Sequence, residues 1–291
     1  MNAKRVLVTG ARGYFGPWVV RELHQHGYHV VAADARAIGD DAPAGVEPLR
    51  FGLYDHMQLA AALDGCSGVV HLAAYPSPGG RRPELVFRNN TGATASVLEA
   101  AVRAGVTTAV VASSTSIFGL TYAPRALSPR YVPIDEDHPL ELLDPYALAK
   151  AADEMTALSV HRRTGMAVLA LRFHWIAPFE DAVDRARELR GDPAGAVAEL
   201  WGYVDARDAA RATRLALERS DVGFAILNIT AGDTLASEPT AELVRRYHPT
   251  TEIRRGASGF RSAWSSSRAR RVIGYEPEYT WRPQRDRRSI V

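Results

Sequence analysis

Cysteine is almost missing from this chain. Cys66 stands alone among 291 residues, which excludes an internal disulfide and a thiolate-built metal site. A surplus of charge of one sign is missing too. Lys plus Arg number 35 against 33 Asp plus Glu, for a net charge of +2, so nothing electrostatic points to nucleic acid or a membrane surface as partner. No apolar run is long enough to span a bilayer, and no signal-like segment stands ahead of the first predicted strand; a cytoplasmic location is expected. Histidines and acids show no metal-ligand spacing, and no metal is expected. Lysine is the most informative scarcity. Only Lys4 and Lys150 occur among the 35 basic residues. Arginine does not replace a lysine whose compact ammonium is required, so the lysines that remain are candidates for chemistry.

What is present describes a globular protein with a full-sized core: 46% apolar and 23% charged residues. Strand-like and helix-like runs alternate, which argues for an α/β fold with a mainly parallel sheet. The stretch 5–34 organises it. Val6, Leu7 and Val8 suit a strand buried on both faces. Gly10, Gly13 and Gly16 follow at GxxGxxG spacing, where the chain turns sharply and lets a phosphate reach the backbone. Pro17 opens a helix with Val19, Val20 and Leu23 as its buried stripe, and Gly27 stops it. A second apolar run ends at Asp34, placed to accept hydrogen bonds from an adenosine ribose. This order specifies a Rossmann-type doubly wound parallel sheet that binds a dinucleotide. Asp34 would repel a 2′-phosphate, so NAD is the expected cofactor. Arg12 and Arg36, which could pair with such a phosphate, make NADP the alternative.

Further strands are predicted near 46–51, 68–74, 108–113, 166–171 and 225–230, and helices at 55–63, 83–104, 144–163, 206–217 and 240–247. Residues 178–202 read as a polar segment punctuated by Gly and Pro, and 281–291 as a frayed tail. Residues 1–172 are expected to form the NAD-binding domain that carries the catalytic residues. Residues 173–291 are expected to form mainly a small substrate-binding region, interleaved with the first.

Tyr146 and Lys150 lie four apart on a helix with strong start signals, Asp144 as cap and Pro145 in the first turn, so they share a face. A free tyrosine titrates near ~10. A neighbouring ammonium and the positive end of a helix both favour its phenolate. Serines follow the predicted strand 108–113, at the sheet edge where ligands bind, and a hydroxyl there can hold a carbonyl or alcohol oxygen.

Together these residues resemble the extended short-chain dehydrogenase/reductases of the NAD-dependent epimerase/dehydratase group. The matching features are Thr9-Gly10-x-x-Gly13-x-x-Gly16, His71-Leu72-Ala73-Ala74, Asn89 with Gly92, Ser113-Ser114 before Phe118-Gly119, and Tyr146-x-x-x-Lys150. The resemblance implies that Ser114 orients the substrate oxygen and Tyr146 is the acid/base. It implies that Lys150 binds the nicotinamide ribose and assists the tyrosine. It further implies cofactor contacts from Gly10, Gly13, Tyr14, Phe15, Gly16, Asp34, Arg36, Leu53, Leu72, Ala73, Ala74 and Asn89. Substrate contacts are expected from Tyr75, Ser114, Thr115, Arg172 and His174, with Arg172 and His174 meeting a carboxylate or hydroxyl.

The chain departs from the group's pattern in two places. Phe51-Gly52-Leu53 offers no acid for adenine, and only about thirty residues separate His174 from Tyr203, consistent with a small substrate. The dehydratases' Asp-Glu pair is replaced by Thr115-Ser116, which argues against dehydration. The compact layout resembles uronate and aldose dehydrogenases. The first reading is therefore an NAD-dependent oxidoreductase acting on a small sugar, sugar acid or related compound. The alternative is an epimerase with tightly held NAD, and a non-catalytic nucleotide sensor is disfavoured because Tyr146 and Lys150 are both kept. A homodimer is expected through the helices at 83–104 and 144–163, with Val97, Leu98, Met155 and Leu158 as candidate contacts.

Overall fold

The computed structural model describes residues 4–37 and 44–283. In chain order the first half runs β1 (Arg5–Thr9), α1 (Gly16–Gln25), β2 (His29–Asp34), β3 (Val46–Arg50), α2 (His56–Leu63), β4 (Cys66–His71), α3 (Pro83–Arg103) and β5 (Thr108–Ser114). Next come β6 (Tyr131–Val132), α4 (Pro145–Thr164), β7 (Ala167–Phe173), β8 (Ile176–Ala177), α5 (Phe179–Leu189), β9 (Val204–Asp205) and α6 (Ala206–Leu217). The chain continues through β10 (Phe224–Ile229), α7 (Thr240–Tyr247), β11 (Glu252–Ile253) and α8 (Ser267–Ile273).

Seven strands form one sheet in the order β10-β7-β5-β4-β1-β2-β3, every neighbour parallel. The order reverses between β1 and β4, and the crevice beyond the ends of those strands is where an open sheet of this kind receives its ligand. Val6, Leu7 and Val8 are fully buried because both faces are covered. On one face lie α1 and α6, with Val19, Leu23, Ala209 and Ala216 against the sheet. On the other lie α2, α3 and α4, with Leu59, Val97, Leu98 and Ala157 in the core. No helix among the described residues is long and apolar enough to cross a membrane.

Three expectations are corrected. The segment 178–202 contains a real helix, α5, whose buried stripe is Ala182, Ala186 and Leu189; two of the three are alanines, too weakly apolar to mark the period. The tail does not fray at 281: Trp281 and Arg282 are buried, the indole donating to the Thr234 carbonyl at 3.1 Å. The remainder of that predicted tail, 284–291, lies outside the described residues. Val97 and Leu98 face the core, so they line no surface.

Candidate active site

The glycine turn after β1 is set by close backbone approach. Gly10 sits at φ +72, and a Cβ there would lie 2.7 Å from the Ala73 nitrogen. A Cβ on Gly16 would lie 2.5 Å from the Ala11 carbonyl carbon. The helix that follows has no side-chain cap, although α4 and α6 are capped by Asp144 and Asp205. Its positive end, free of a side-chain cap, faces the cavity, where a pyrophosphate would sit. Tyr14, Phe15 and Gly13 line the same cavity.

At the end of β2, Asp34 accepts from the Arg12 backbone N–H at 3.1 Å and the Arg36 backbone N–H at 2.9 Å. The Arg36 side chain pairs with Asp34 at 3.3 Å and donates to the Arg12 carbonyl at 2.9 Å. Arg12 donates to the Ala37 carbonyl. The Arg36 side chain is thus engaged by the carboxylate itself, and the Arg12 side chain by a neighbouring backbone carbonyl. Leu53 lines the cavity beside Phe51 and Gly52, with no acid among those three.

Leu72, Ala73 and Ala74 lie just past β4, which ends one residue earlier at His71; they form the cavity floor as loop. Asn90, a residue the sequence reading overlooked, fixes that loop. Its Oδ1 accepts from Tyr75 N at 2.8 Å, and its Nδ2 donates to the Tyr75 carbonyl at 3.1 Å. Asn89 donates to Asn90 at 3.1 Å and lines the cavity. The two amides are adjacent in sequence, so spacing alone could not divide their roles. Tyr75 also lines the cavity, with Arg81 over its ring at 4.5 Å.

At the other end, the Asp144 carboxylate accepts from Tyr146 N and Ala147 N, both at 2.9 Å, and this starts α4 with Tyr146 in its first turn. Lys150 is buried one turn on, its Nζ 5.8 Å from the Tyr146 ring centroid and 2.6 Å from the Ala112 carbonyl oxygen. Ser114, at the end of β5, accepts from Ser116 N at 3.1 Å, which leaves its own proton to donate. Ser114, Tyr146 and Lys150 all face one cavity of about 1370 Å³. That exceeds the roughly 300–1,000 Å³ of a single small-ligand site, leaving room for a dinucleotide and a second molecule.

The predicted substrate residues fare unevenly. Thr115 lines the cavity, but its hydroxyl turns to the Phe173 carbonyl at 3.4 Å. Arg172 is not free to meet a substrate. It is buried in a two-pronged pair with Glu154 at 2.7 and 2.8 Å, and Ser113 donates to the same carboxylate at 2.6 Å. His174 is similarly occupied: its Nδ1 accepts from Trp175 N at 2.7 Å, and its Nε2 lies 3.1 Å from the Glu199 carbonyl oxygen. Burial pushes its pKa down to about 4, so the ring is neutral. Residues missed in sequence complete the wall. Tyr122 sits edge-on to Tyr146 at 6.1 Å. Ser116 Oγ is buried without a hydrogen-bond partner among the described residues. Trp175, Arg185 and Glu199 face the same space. Burial raises the Glu199 pKa, with Arg185 opposing. From the glycine turn, the Tyr14 hydroxyl donates to Asp181 on α5 at 2.7 Å, tying that helix across the cavity.

Arg172→Leu strands the Glu154 charge in the interior. We expect a loss of about 3–5 kcal/mol, on the order of 10 °C in Tm, in a thermal melt. NAD affinity of the folded fraction should hold, and a large fall in affinity with little change in Tm would return Arg172 to the binding machinery.

A dinucleotide cradle with serine, tyrosine and lysine gathered at its far end defines a nicotinamide-dependent enzyme. The profile of the NAD dependent epimerase/dehydratase family matches residues 6–232. A UDP-glucose 4-epimerase of Corynebacterium glutamicum is 26% identical over 320 aligned residues, spanning 99% of this chain and 93% of that protein. Cinnamoyl-CoA reductase 1 of Oryza sativa subsp. japonica is 33% identical over 239 residues, spanning 74% and 68%. The structure of MoeE5 in complex with UDP-glucose and NAD matches with a TM-score of 0.70 at 30% identity, covering 95% of this chain and 94% of that one. The chain belongs to the NAD dependent epimerase/dehydratase family. It is an enzyme of that family, and NAD is its cofactor.

Proposed function

We propose that this enzyme is a sugar epimerase, acting at one hydroxyl-bearing carbon of a neutral sugar or nucleotide sugar. The observation that carries this reading is the substrate wall. Arg172 is consumed by Glu154, both nitrogens of His174 are engaged, and a carboxylate, Glu199, faces the cavity. Hydroxyls of a neutral sugar would find acceptors there, and neither Arg172 nor His174 is left to grip a sugar carboxylate. A relative matched over 93% of its length, a UDP-glucose 4-epimerase, supports the same choice.

NAD, when bound, supplies the hydride acceptor. Ser114 donates a hydrogen bond to the substrate oxygen, and Tyr146 takes the hydroxyl proton at its phenolic oxygen. The Lys150 ammonium stabilises the negative charge on that oxygen while it is present. Returning the hydride to the opposite face of the same carbon, and the proton from Tyr146 to its oxygen, would complete an epimerisation. Net dehydrogenation, placed first on sequence alone, is the second reading. It is favoured by the short connection between β7 and β9, which leaves little chain to enclose a nucleotide.

The test is to offer neutral nucleotide sugars, free sugars and uronates with NAD, following both nicotinamide absorbance and sugar composition. Interconversion of sugars without NADH accumulation is expected. Net NADH from any of them would establish the dehydrogenase, and no conversion of any sugar would end the sugar reading.

We further propose a homodimer through α3 and α4. With Val97 and Leu98 in the core, the apolar side chains left exposed there are Phe87, Leu148 and Met155, with Leu158 half-buried beside them. Light scattering should report twice the chain mass; a monomer at micromolar concentration would refute the assembly.

A further inference from the structure

The Lys150 ammonium has a second partner besides the Ala112 carbonyl. Asp153, one turn further along α4, lies 3.3 Å from Nζ, and its side chain is fully buried. Aspartate is a poor residue for a helix interior, and here it puts a carboxylate where an alanine would pack without cost. Burial raises the Asp153 pKa, while the Lys150 ammonium and the Thr94 hydroxyl of α3 pull it back. Its Oδ1 has no well-formed hydrogen bond among the described residues.

The neighbouring acid does not share this cation, because Glu154 is paired with Arg172 of β7. From β4, His71 faces Lys150, with its Nδ1 2.8 Å from Thr9 Oγ1. Burial, helped by Lys150, pushes the His71 pKa down to about 3, so it brings no charge. Asp144, at the start of α4, is engaged by two backbone N–H groups. What remains beside Tyr146 is the pair Lys150–Asp153.

We propose that Asp153 is a positioning residue that clamps the Lys150 ammonium and moderates the field it exerts on the Tyr146 hydroxyl. With the carboxylate charged, Tyr146 faces an ion pair. With it removed, Tyr146 faces an uncompensated cation, and the phenolate forms more readily. This rests on Tyr146 being the acid/base, so the experiment includes a readout that needs no turnover.

Asp153→Asn and Asp153→Ser are compared with the parent across pH. Asp153→Asn should move the acid limb of the turnover profile down by roughly one pH unit, the effect of one nearby charge. Asp153→Ser, which removes the same charge, should move it in the same direction. In the apoenzyme, the tyrosinate absorbance that Tyr146→Phe abolishes should appear at lower pH in Asp153→Asn. A purely structural Asp153 would lower turnover at every pH and leave both the limb and the tyrosinate signal in place, which overturns the proposal. If Asp153→Asn does not fold, an unmoved signal in Asp153→Ser overturns it equally. A tyrosinate signal that moves while the turnover limb stays put would uphold the Asp153 clamp and refute the catalytic role of Tyr146.

Discussion

Tyr146→Phe should lower turnover at least ~100-fold, or ~2.7 kcal/mol of barrier, while leaving NAD affinity nearly unchanged. The substitution removes one oxygen and keeps the ring that Tyr122 packs against edge-on. Lys150→Arg should do comparable harm for a different reason. The ammonium occupies a closed space, its side chain 4% exposed, between the Ala112 carbonyl and Asp153. A broad planar guanidinium cannot place its charge at that point. In a chain where 33 of 35 basic residues are arginine (35 less Lys4 and Lys150), arginine is tolerated wherever charge alone suffices. The check is turnover and NAD affinity for both variants beside the parent. Near-parental turnover in both would move proton transfer to other residues.

The parts of this molecule that were readable in sequence are those whose causes are local. The strand before Gly10, the glycine turn, Asp34 at the end of β2, and the Asp144-Pro145 start of α4 each carry their signal within a few residues. What was not readable depends on partners far along the chain. Arg172 looked available because its partner, Glu154, is eighteen positions away on α4 and reaches it only when α4 packs beside β7. The end of the chain looked free for the same reason. Asp208 on α6 accepts from the backbone N–H groups of Glu278 and Tyr279, both at 2.9 Å, and Asp233 accepts from Thr280 at 2.7 Å. Those buried carboxylates hold the segment down, and no pattern within residues 275–283 announces them. Helix α5 was hidden by chemistry rather than distance, since alanine fills its buried stripe. Its consequence is that Asp181 and Arg185 come to line the cavity.

The largest effect on cofactor binding should come from a single methyl group at Gly16. A Cβ there meets the Ala11 carbonyl group and the Gly10 carbonyl oxygen, all backbone, so no side chain can swing away to make room. The glycine turn and the first turn of α1 must separate by more than packed structure allows at low cost. Strain of this kind costs roughly 1–3 kcal/mol of stability. The loss in binding should be greater still, because the positive end of α1 acts on a pyrophosphate only when the turn holds the phosphate against it. Gly16→Ala is therefore expected to weaken NAD binding at least ~100-fold, or ~2.7 kcal/mol, with a smaller fall in Tm. Calorimetric titration with NAD, beside a melt of the apoenzyme, separates the two losses. Gly27→Ala serves as the control, since Gly27 closes α1 at φ +80 with nothing within 4 Å of a new Cβ. It should cost some stability through its left-handed backbone but leave NAD affinity in place. Parental affinity in Gly16→Ala would mean that the dinucleotide does not use this turn, and the cradle would have to be sought elsewhere in the cavity.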